Sequence, residues 1–389
     1  MSVVEEMTRS QEIAYALIIQ WFKNRESMVY RLGGPAGSGK SWLIAKIAEY
    51  VGFDDCLLMT PTGKASNNLI KAGLQAHTIH SQIYRNQYAK QSSADCADMS
   101  SVIEEYNRAM TADRVYTVND YNYRLKQPSA WREKCLFIVD EGSMVGDKLL
   151  NDILTFNVPV LLVGDPNQLE PVNDRTVFTK CDYYLTEIVR QAQDSPVIWL
   201  SQQILNGKLP AGTFGTCQVR WGGVADNEIM FANQVLTDTN VTRDSLNEYI
   251  RKLWFGDQMP VSPFVRYDKI ICRTNSMINS DSGYTLTNGA QGIISDIYNV
   301  DCTGTYLKLK MHTDELGDFV YQCTTHPEYF KPEQRPPKIE YAYAITVHLS
   351  QGSEWDRIIY VVSNGGSKSA LYTAVTRAKQ GVLVALQER

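Results

Sequence analysis

The sequence contains no Cys-x-x-Cys pair and no regular cysteine spacing; its eight cysteines are scattered over 389 residues. That argues against a zinc ribbon or a disulfide framework and suits free thiols in a reducing compartment. Long apolar runs are missing too. Val158 to Val163 is typical of the longest, far short of a membrane span. Positive charge is scarce, with 38 Lys and Arg against 43 Asp and Glu, a net charge of −5 and an isoelectric point near 5.7. A protein that coats duplex DNA by bulk charge is normally basic. Any nucleic-acid contact here must therefore use a local groove, helped by stacking and hydrogen bonds. There is no internal repeat and no low-complexity tract. Met1 to Ser10 carries Glu5 and Glu6 and no apolar core, which argues against a signal peptide. His77 and His80 stand three apart with no third ligand nearby, so a metal site is rejected there.

What the chain does have is the octet Gly34-Pro35-Ala36-Gly37-Ser38-Gly39-Lys40-Ser41, which fits the phosphate-loop pattern G-x-x-x-x-G-K-[ST] at every fixed position. A short strand is predicted before it (Met28–Leu32) and a helix after it (Trp42–Tyr50), with Leu43, Ile44, Ile47 and Ala48 at helical spacing. Glycines let the backbone curl until its N–H groups point at phosphate oxygens, and the helix N-terminus adds positive potential. Lys40 is expected to reach the β- and γ-phosphates of ATP and Ser41 to hold Mg²⁺.

Residues 28 to 165 alternate strand and helix, which predicts a parallel sheet with flanking helices. Strands are expected at Val29–Leu32, Cys56–Thr60, Cys135–Asp140 and Val158–Gly164. Between about 84 and 134 the alternation breaks. There Ser101–Met110 reads as helix, and Val115–Val118 and Tyr121–Leu125 flank Asn119-Asp120 as a hairpin. Strand and helix return from about 190 to 267, with helices at Ser195–Asn206 and Val241–Trp254. Short antiparallel strands follow at Lys269–Arg273, Gly292–Ile297, Tyr306–Met311 and Phe319–Cys323, a barrel-like pattern.

Two further strand ends carry chemistry. Asp140-Glu141 ends an apolar run 100 residues after Lys40. A carboxylate at the C-terminal end of a parallel strand faces the ligand crevice. Asp140 can hold Mg²⁺ through water and Glu141 can deprotonate the attacking water. Gln168, in Gly164-Asp165-Pro166-Asn167-Gln168, can bridge γ-phosphate and water, although Gly-Asp-Pro-Asn makes a turn by itself.

These segments stand in a recognisable order. Gly34–Ser41, Thr60–Ala65, Thr78-Ile79-His80, Asp140–Met144, Gly164–Leu169, Leu185–Gln191, Asn288–Gly292, Tyr341–Glu354 and Leu371–Lys379 together resemble the motifs of superfamily 1 helicases, in the RecD/Dda branch. The resemblance covers about residues 8 to 385. It implies an α/β fold of two RecA-like phosphate-loop domains, with a β-hairpin pin inserted in the first and a small β-barrel-like insertion in the second. The first domain would span 1–83 and 135–189, the pin 84–134, the second domain 190–275 and 339–389, and the barrel 276–338.

The resemblance further implies ATP hydrolysis between the domains, catalysed by Lys40, Asp140, Glu141, Gln168 and the arginine fingers Arg190 and Arg377. Gln11 would read the adenine edge, with Gly352 and Glu354 completing the cofactor site and Glu354 at the ribose. Single-stranded DNA would run past Pro61, Thr62, Lys64, Thr78 and His80, then Asn240, Thr346 and His348. Tyr116, Tyr121 and Tyr123 of the pin would stack on a splayed base, worth about 1–3 kcal/mol each in single-strand binders. The insertion 84–134 holds eight Lys/Arg and seven Asp/Glu, so a wedge acting by shape fits better than a basic clamp.

As implied partners stand single-stranded DNA and its junctions with duplex, and a single-strand-binding protein or replisome components, with no membrane. The implied location is cytoplasmic, the host bacterial cytoplasm for a phage-encoded chain. Two departures are visible: Val189 stands where relatives often have a base-stacking Tyr, and Leu349 where they often have Lys. The expected activity is a DNA helicase moving 5′ to 3′, the direction resting on the family alone. A viral-type RNA helicase and a nucleotide-gated single-strand binder that remodels complexes without unwinding stay open as alternatives.

Overall fold

The computed structural model of the chain describes residues 7–86, 123–171, 174–256, 263–274, 286, 288–300, 307–313, 317–329, 336–363 and 366–387. Helix α1 (Arg9–Asn24) opens the fold. Thr8 caps it, and Gln11 returns a bond to the Thr8 N–H, so the capping box is complete. Then come β1 (Val29–Gly33), α2 (Lys40–Val51), β2 (Cys56–Thr60), α3 (Gly63–Lys71), β3 (Ala76–Thr78) and α4 (Ile79–Ile83). They are followed by β4 (Tyr84–Asn86), β5 (Tyr123–Leu125), β6 (Leu136–Val139), α5 (Asp147–Leu154), β7 (Val160–Gly164) and β8 (Tyr183–Tyr184).

The first sheet has the order β3-β2-β6-β7-β1-β8, all parallel. Its centre is buried on both faces. Along β6, Leu136 and Ile138 pack with Ile18 and Ile44 of α1 and α2, while Phe137 and Val139 pack with Ile79 and Ile153 of α4 and α5. That is the period-two alternation of a strand covered by helices on each side. Because β2 lies three positions away from β1, the strand order reverses and opens a crevice at the strands' carboxyl ends. Gly33 pairs with Gly164 and Val139 with Leu162, so the chain leaves at Gly34, Asp140 and Asp165 along one edge.

Strands β4 and β5 form a separate antiparallel ribbon, Tyr84 opposite Leu125. It is the root of the 84–134 insertion. The expected helix 101–110, the first hairpin strand, Tyr116, Tyr121 and the Tyr123 side chain lie outside the described residues.

The second half supplies α6 (Arg190–Gln193), α7 (Pro196–Leu205), β9 (Gly212–Phe214), β10 (Cys217–Trp221), α8 (Asp226–Phe231), β11 (Gln234–Thr237) and α9 (Asn240–Phe255). Next are β12 (Lys269–Cys272), β13 (Gln291–Val300), β14 (Leu307–Thr313), β15 (Gly317–Cys323) and β16 (Ile339–Tyr341). The chain ends with β17 (Ala344–Thr346), β18 (Trp355–Val362), α10 (Lys368–Val375) and β19 (Ala378–Leu386). The second sheet, β17-β11-β18-β19-β10-β9, is parallel apart from the β9–β10 hairpin. Its strands alternate in the same way, with Leu236 and Tyr360 on one face and Val235 and Ile359 on the other.

The third sheet, β15-β14-β13-β12-β16, is antiparallel throughout. Register shifts in β13 curl it, as bulges do. Thr324 bonds Pro337 and Ile339 across its ends, over a core of Phe264, Ile294, Leu309 and Tyr321. The domain boundaries expected at 275/276 and 338/339 cut through this sheet. Both β12 and β16 pair within it: Ile271 stands opposite Gln291 on one side and opposite Glu340 on the other.

Candidate nucleotide site and strand interface

The phosphate loop leaves β1 with the Gly34 N–H bonded to Gly164 O at 3.1 Å. It turns through Gly37 and Gly39, both at φ 77°, in the left-handed region open to glycine. A Cβ at Gly39 would also come within 2.3 Å of Gln11 Nε2. Helix α2 starts at Lys40 with no side-chain cap, so its first N–H groups face the crevice at the positive end of the helix dipole. Lys40 Nζ donates to Gly34 O at 2.7 Å and Pro35 O at 3.0 Å, folded over its own loop. Ser38 Oγ donates to Pro35 O at 2.8 Å, and Ser41 is exposed.

Gln11 is buried at 3% exposure. Its Oε1 accepts the Thr8 N–H at 2.9 Å and its Nε2 donates to Ser38 O at 3.0 Å. It therefore braces the phosphate loop with one amide hydrogen to spare. Val189 lies against the same loop: its N–H bonds Gly37 O at 3.0 Å, and its methyl fills the space over Gly39.

Asp140 and Glu141 leave β6 into the crevice. Burial, reinforced by the charge of Glu141, pushes the Asp140 carboxyl up to about 7, against the opposing pull of the Glu141 N–H and Lys40. Asp140 Oδ1 accepts that N–H at 2.9 Å. Glu141 itself sits at φ 56°, ψ 39°. A non-glycine residue held in the left-handed region costs about 1–3 kcal/mol and clusters at functional sites. Among the described residues no group of three or more His, Cys, Asp or Glu could hold a metal. Mg²⁺ shared with phosphates asks for only one or two protein oxygens plus water. Asp140 and the exposed Ser41 hydroxyl fit that demand.

The second sheet closes onto this edge. Tyr372 of α10 accepts the Ala36 N–H at 2.9 Å and donates to Asp165 Oδ2 at 2.6 Å. Leu169 N–H donates to Thr373 Oγ1 at 3.0 Å, and Gln351 Nε2 donates to Leu169 O at 3.0 Å. Gln168, between these clamps, is 7% exposed, and its Oε1 has no hydrogen-bond partner among the described residues. A buried acceptor left open in a native fold calls for a partner such as a water, an ion or a ligand.

Arg377 follows α10 and is 5% exposed. Its guanidinium donates to Thr373 O at 3.2 Å and Thr376 Oγ1 at 3.4 Å, and no carboxylate reaches it among the described residues. A buried guanidinium without an anion is costly, which is the condition a phosphate relieves. Arg190 opens α6, and its side chain lies outside the described residues. Glu354 is half-exposed and 3.8 Å from Lys379. Asp165, Gln351, Tyr372 and Thr373 were missed by residue-level reading. Their signal was present, since all four lie inside the quoted motifs, but turn chemistry alone accounts for Asp165 and nothing local marks Tyr372.

Residues expected along the strand divide into two sorts. Asn240, His80 and His348 are exposed, and Pro61, Thr62, Lys64 and Thr78 half-buried. Thr62 and Thr78 cap α3 and α4 through their hydroxyls, and Lys64 Nζ lies 5.3 Å over the Trp355 ring, across the two sheets. Gly352 O accepts from Asn68 Nδ2 at 3.1 Å. Gly352 adopts φ 74°, and a Cβ there would come within 2.7 Å of Thr62 Oγ1, so glycine permits the close approach. Thr346 is buried, and its hydroxyl accepts the Leu349 N–H at 3.4 Å, shaping the turn that carries His348. His348 rims a cavity of about 450 Å³ with Leu169, Asp238, Ser363 and Ser367. Its outer edge reaches solvent, while burial of its inner side lowers its pKa and Asp238 opposes that shift.

Comparison with known proteins agrees with this geometry. The AAA-domain family model matches residues 10–216, and the model of the UvrD-like helicase C-terminal domain matches 341–385. The ATP-dependent RecD2 DNA helicase of Deinococcus radiodurans is 27% identical over 90% of this chain and 46% of its own length. The ATP-dependent DNA helicase dda of Enterobacteria phage T4 is 27% identical over 64% of this chain and 58% of its own. The chain thus spans about half the length of these relatives. In fold it matches the Pif1 helicase from Bacteroides in complex with ADP-AlF3 and single-stranded DNA, with a TM-score of 0.56 at 18% identity over 98% of this chain and 92% of that one. The Pif1 helicase from Candida albicans gives 0.55 at 17% identity, over 98% and 94%. With its phosphate loop, paired carboxylates and Arg377 helix gathered along one crevice, the chain belongs to the AAA-domain family, in the RecD/Dda branch of the superfamily 1 helicases.

Proposed function

We propose that this protein is an ATP-dependent DNA helicase that moves along single-stranded DNA, 5′ to 3′, by closing and opening its two parallel sheets around ATP. One observation carries the reading: the phosphate loop is hydrogen-bonded directly to the helix that leads to Arg377. A phosphate seated on the loop is then within the reach of groups from both halves, as phosphoryl transfer requires.

In this reading Lys40 leaves its loop carbonyls for the β- and γ-phosphates. Glu141 takes the proton of the attacking water, Gln168 Oε1 orients that water, and Arg190 and Arg377 neutralise charge on the γ-phosphoryl oxygens. Gln11 uses its spare amide hydrogen at the adenine edge, and Glu354 meets the ribose. Asp140 and Ser41 would hold Mg²⁺, which when bound neutralises charge on the phosphate oxygens. The exposed imidazoles, the lysine and the helix-capping threonines hold strand phosphates without bulk positive charge. The 84–134 insertion is assigned the wedge.

The reading is tested by stopped-flow unwinding of 5′-tailed and 3′-tailed duplexes, with ATP hydrolysis stimulated by DNA or by RNA. Unwinding of the 5′-tailed duplex with preferential DNA stimulation is expected. Equal or stronger stimulation by RNA would move the substrate to RNA, and turnover without unwinding would make the protein a remodeller. Replacing residues 116–123 by a short turn is expected to leave strand-stimulated ATPase activity near the parent's and to stop unwinding. Surviving unwinding would place the wedge elsewhere.

A pH dependence follows from Asp140. Its folded-state pKa is raised to about 7, so the carboxyl is protonated below that pH and competes with metal. Mg²⁺-dependent nucleotide affinity is therefore expected to rise about tenfold between pH 6 and pH 8, with proton release on binding. Calorimetry in two buffers of different ionisation enthalpy reads the released proton, and Asp140→Asn should abolish the pH dependence.

A further inference from the structure

Tyr372 is fully buried, and its hydroxyl has two committed partners in the other sheet's loops. It accepts from the Ala36 N–H of the phosphate loop and donates its one hydrogen to Asp165 Oδ2. Burial, together with the charge of Asp165, raises its pKa far above the usual phenol range, so that hydrogen stays in place at any working pH. Asp165, itself 0% exposed, accepts from the Asn167 N–H and Nδ2 at 3.0 Å through its other oxygen. Its carbonyl accepts the Gln168 N–H at 3.1 Å. One phenol thus joins the loop that receives the phosphates, the turn that presents Gln168 and the helix that leads to Arg377, five residues further on.

We propose that Tyr372 is a positioning residue for ATP hydrolysis: its hydroxyl sets Gln168 and Arg377 in register with the phosphate loop, so that a change at the phosphates moves α10 and the second sheet. The inference rests on the ATPase reading above. The neighbouring bonds fit it, because Leu169, next to Gln168, is held on both its N–H and its carbonyl by Thr373 and Gln351 of the second sheet. A ring that merely filled the core would need no hydroxyl, and a phenylalanine would pack as well.

The test is Tyr372→Phe, which keeps the ring and removes both bonds, in the full chain with an oligo-dT strand. Loss of a charge-assisted hydrogen bond between buried groups predicts a fall in strand-stimulated kcat of about 10- to 100-fold. The KM for ATP should stay within about threefold, since the phosphate-loop N–H groups that bind are retained. Asp165→Asn tests the same bond from the other side, and the double variant should lose little more than the worse single one, as members of one network do. A kcat within twofold of the parent, a KM rise that accounts for the loss, or losses that multiply in the double variant would each overturn the proposal. If Tyr372→Phe melts below the assay temperature, Asp165→Asn alone decides it by the same kcat and KM criterion. A parent protein with no strand-stimulated ATPase would instead refute the ATPase reading, which keeps the two failures apart.

Discussion

Replacing Arg377 by alanine is expected to leave nucleotide affinity within a few-fold of the parent and to lower strand-stimulated turnover by about 10³- to 10⁵-fold, the range seen when an arginine finger is withdrawn. The buried guanidinium has only a helix carbonyl and a threonine hydroxyl for company, so its charge is uncompensated until an anion arrives. That anion's charge grows on the γ-phosphoryl oxygens in the transition state, so the interaction lowers the barrier more than it tightens binding. Removing a buried charge that lacks a counter-ion does not weaken the fold by the usual penalty of a broken pair, and melting should stay near the parent's. Arg377→Lys should rescue poorly, because an ammonium cannot replace a planar fork aimed at two oxygens. Steady-state ATPase with a nucleotide titration checks both halves, and unimpaired turnover in Arg377→Ala would remove the residue from the site.

The phosphate loop and both carboxylates were legible as residues because their chemistry is local. A strand, a glycine turn and a helix start are adjacent in sequence, and Gly37 and Gly39 adopt the left-handed angles that the pattern demands. The first sheet was legible for the same reason: Cys56–Thr60 is a strand as expected, and β7 begins at Val160, two residues inside its predicted start. What could not be read was any bond whose partners lie far apart. Tyr372 and Ala36 are 336 residues apart and Asp165 and Tyr372 are 207, and no periodicity or spacing encodes such pairings. Gln11 shows another limit. The resemblance implies an adenine contact for it, but no spacing in the sequence tells that its side chain also turns inward, where one amide completes a capping box and braces Ser38. Lys269–Arg273 was grouped with the antiparallel strands it pairs with, but Ile339–Tyr341 was not expected as a strand, because a short β-prone run carries no mark of its neighbour.

Lys40→Ala is expected to reduce ATP hydrolysis to the floor of detection, with or without a single strand, while the nucleotide-free protein still binds the strand. The lysine's two hydrogen bonds go to carbonyls of its own loop, and each such bond adds only about 1 kcal/mol net to stability. Folding should therefore survive the change, so lost turnover reports on chemistry. Lys40 also acts on its neighbour. Its positive charge pulls the Asp140 carboxyl down, against burial and Glu141, so alanine lets that pKa climb further above 7. The proton then competes with Mg²⁺ over a wider range, and the defect in Mg²⁺-dependent nucleotide binding should be larger at pH 6.5 than at pH 8.5. A variant that had simply lost its fold would bind poorly at both. Retained strand-stimulated turnover in Lys40→Ala would mean that phosphates are held somewhere other than Gly34–Ser41.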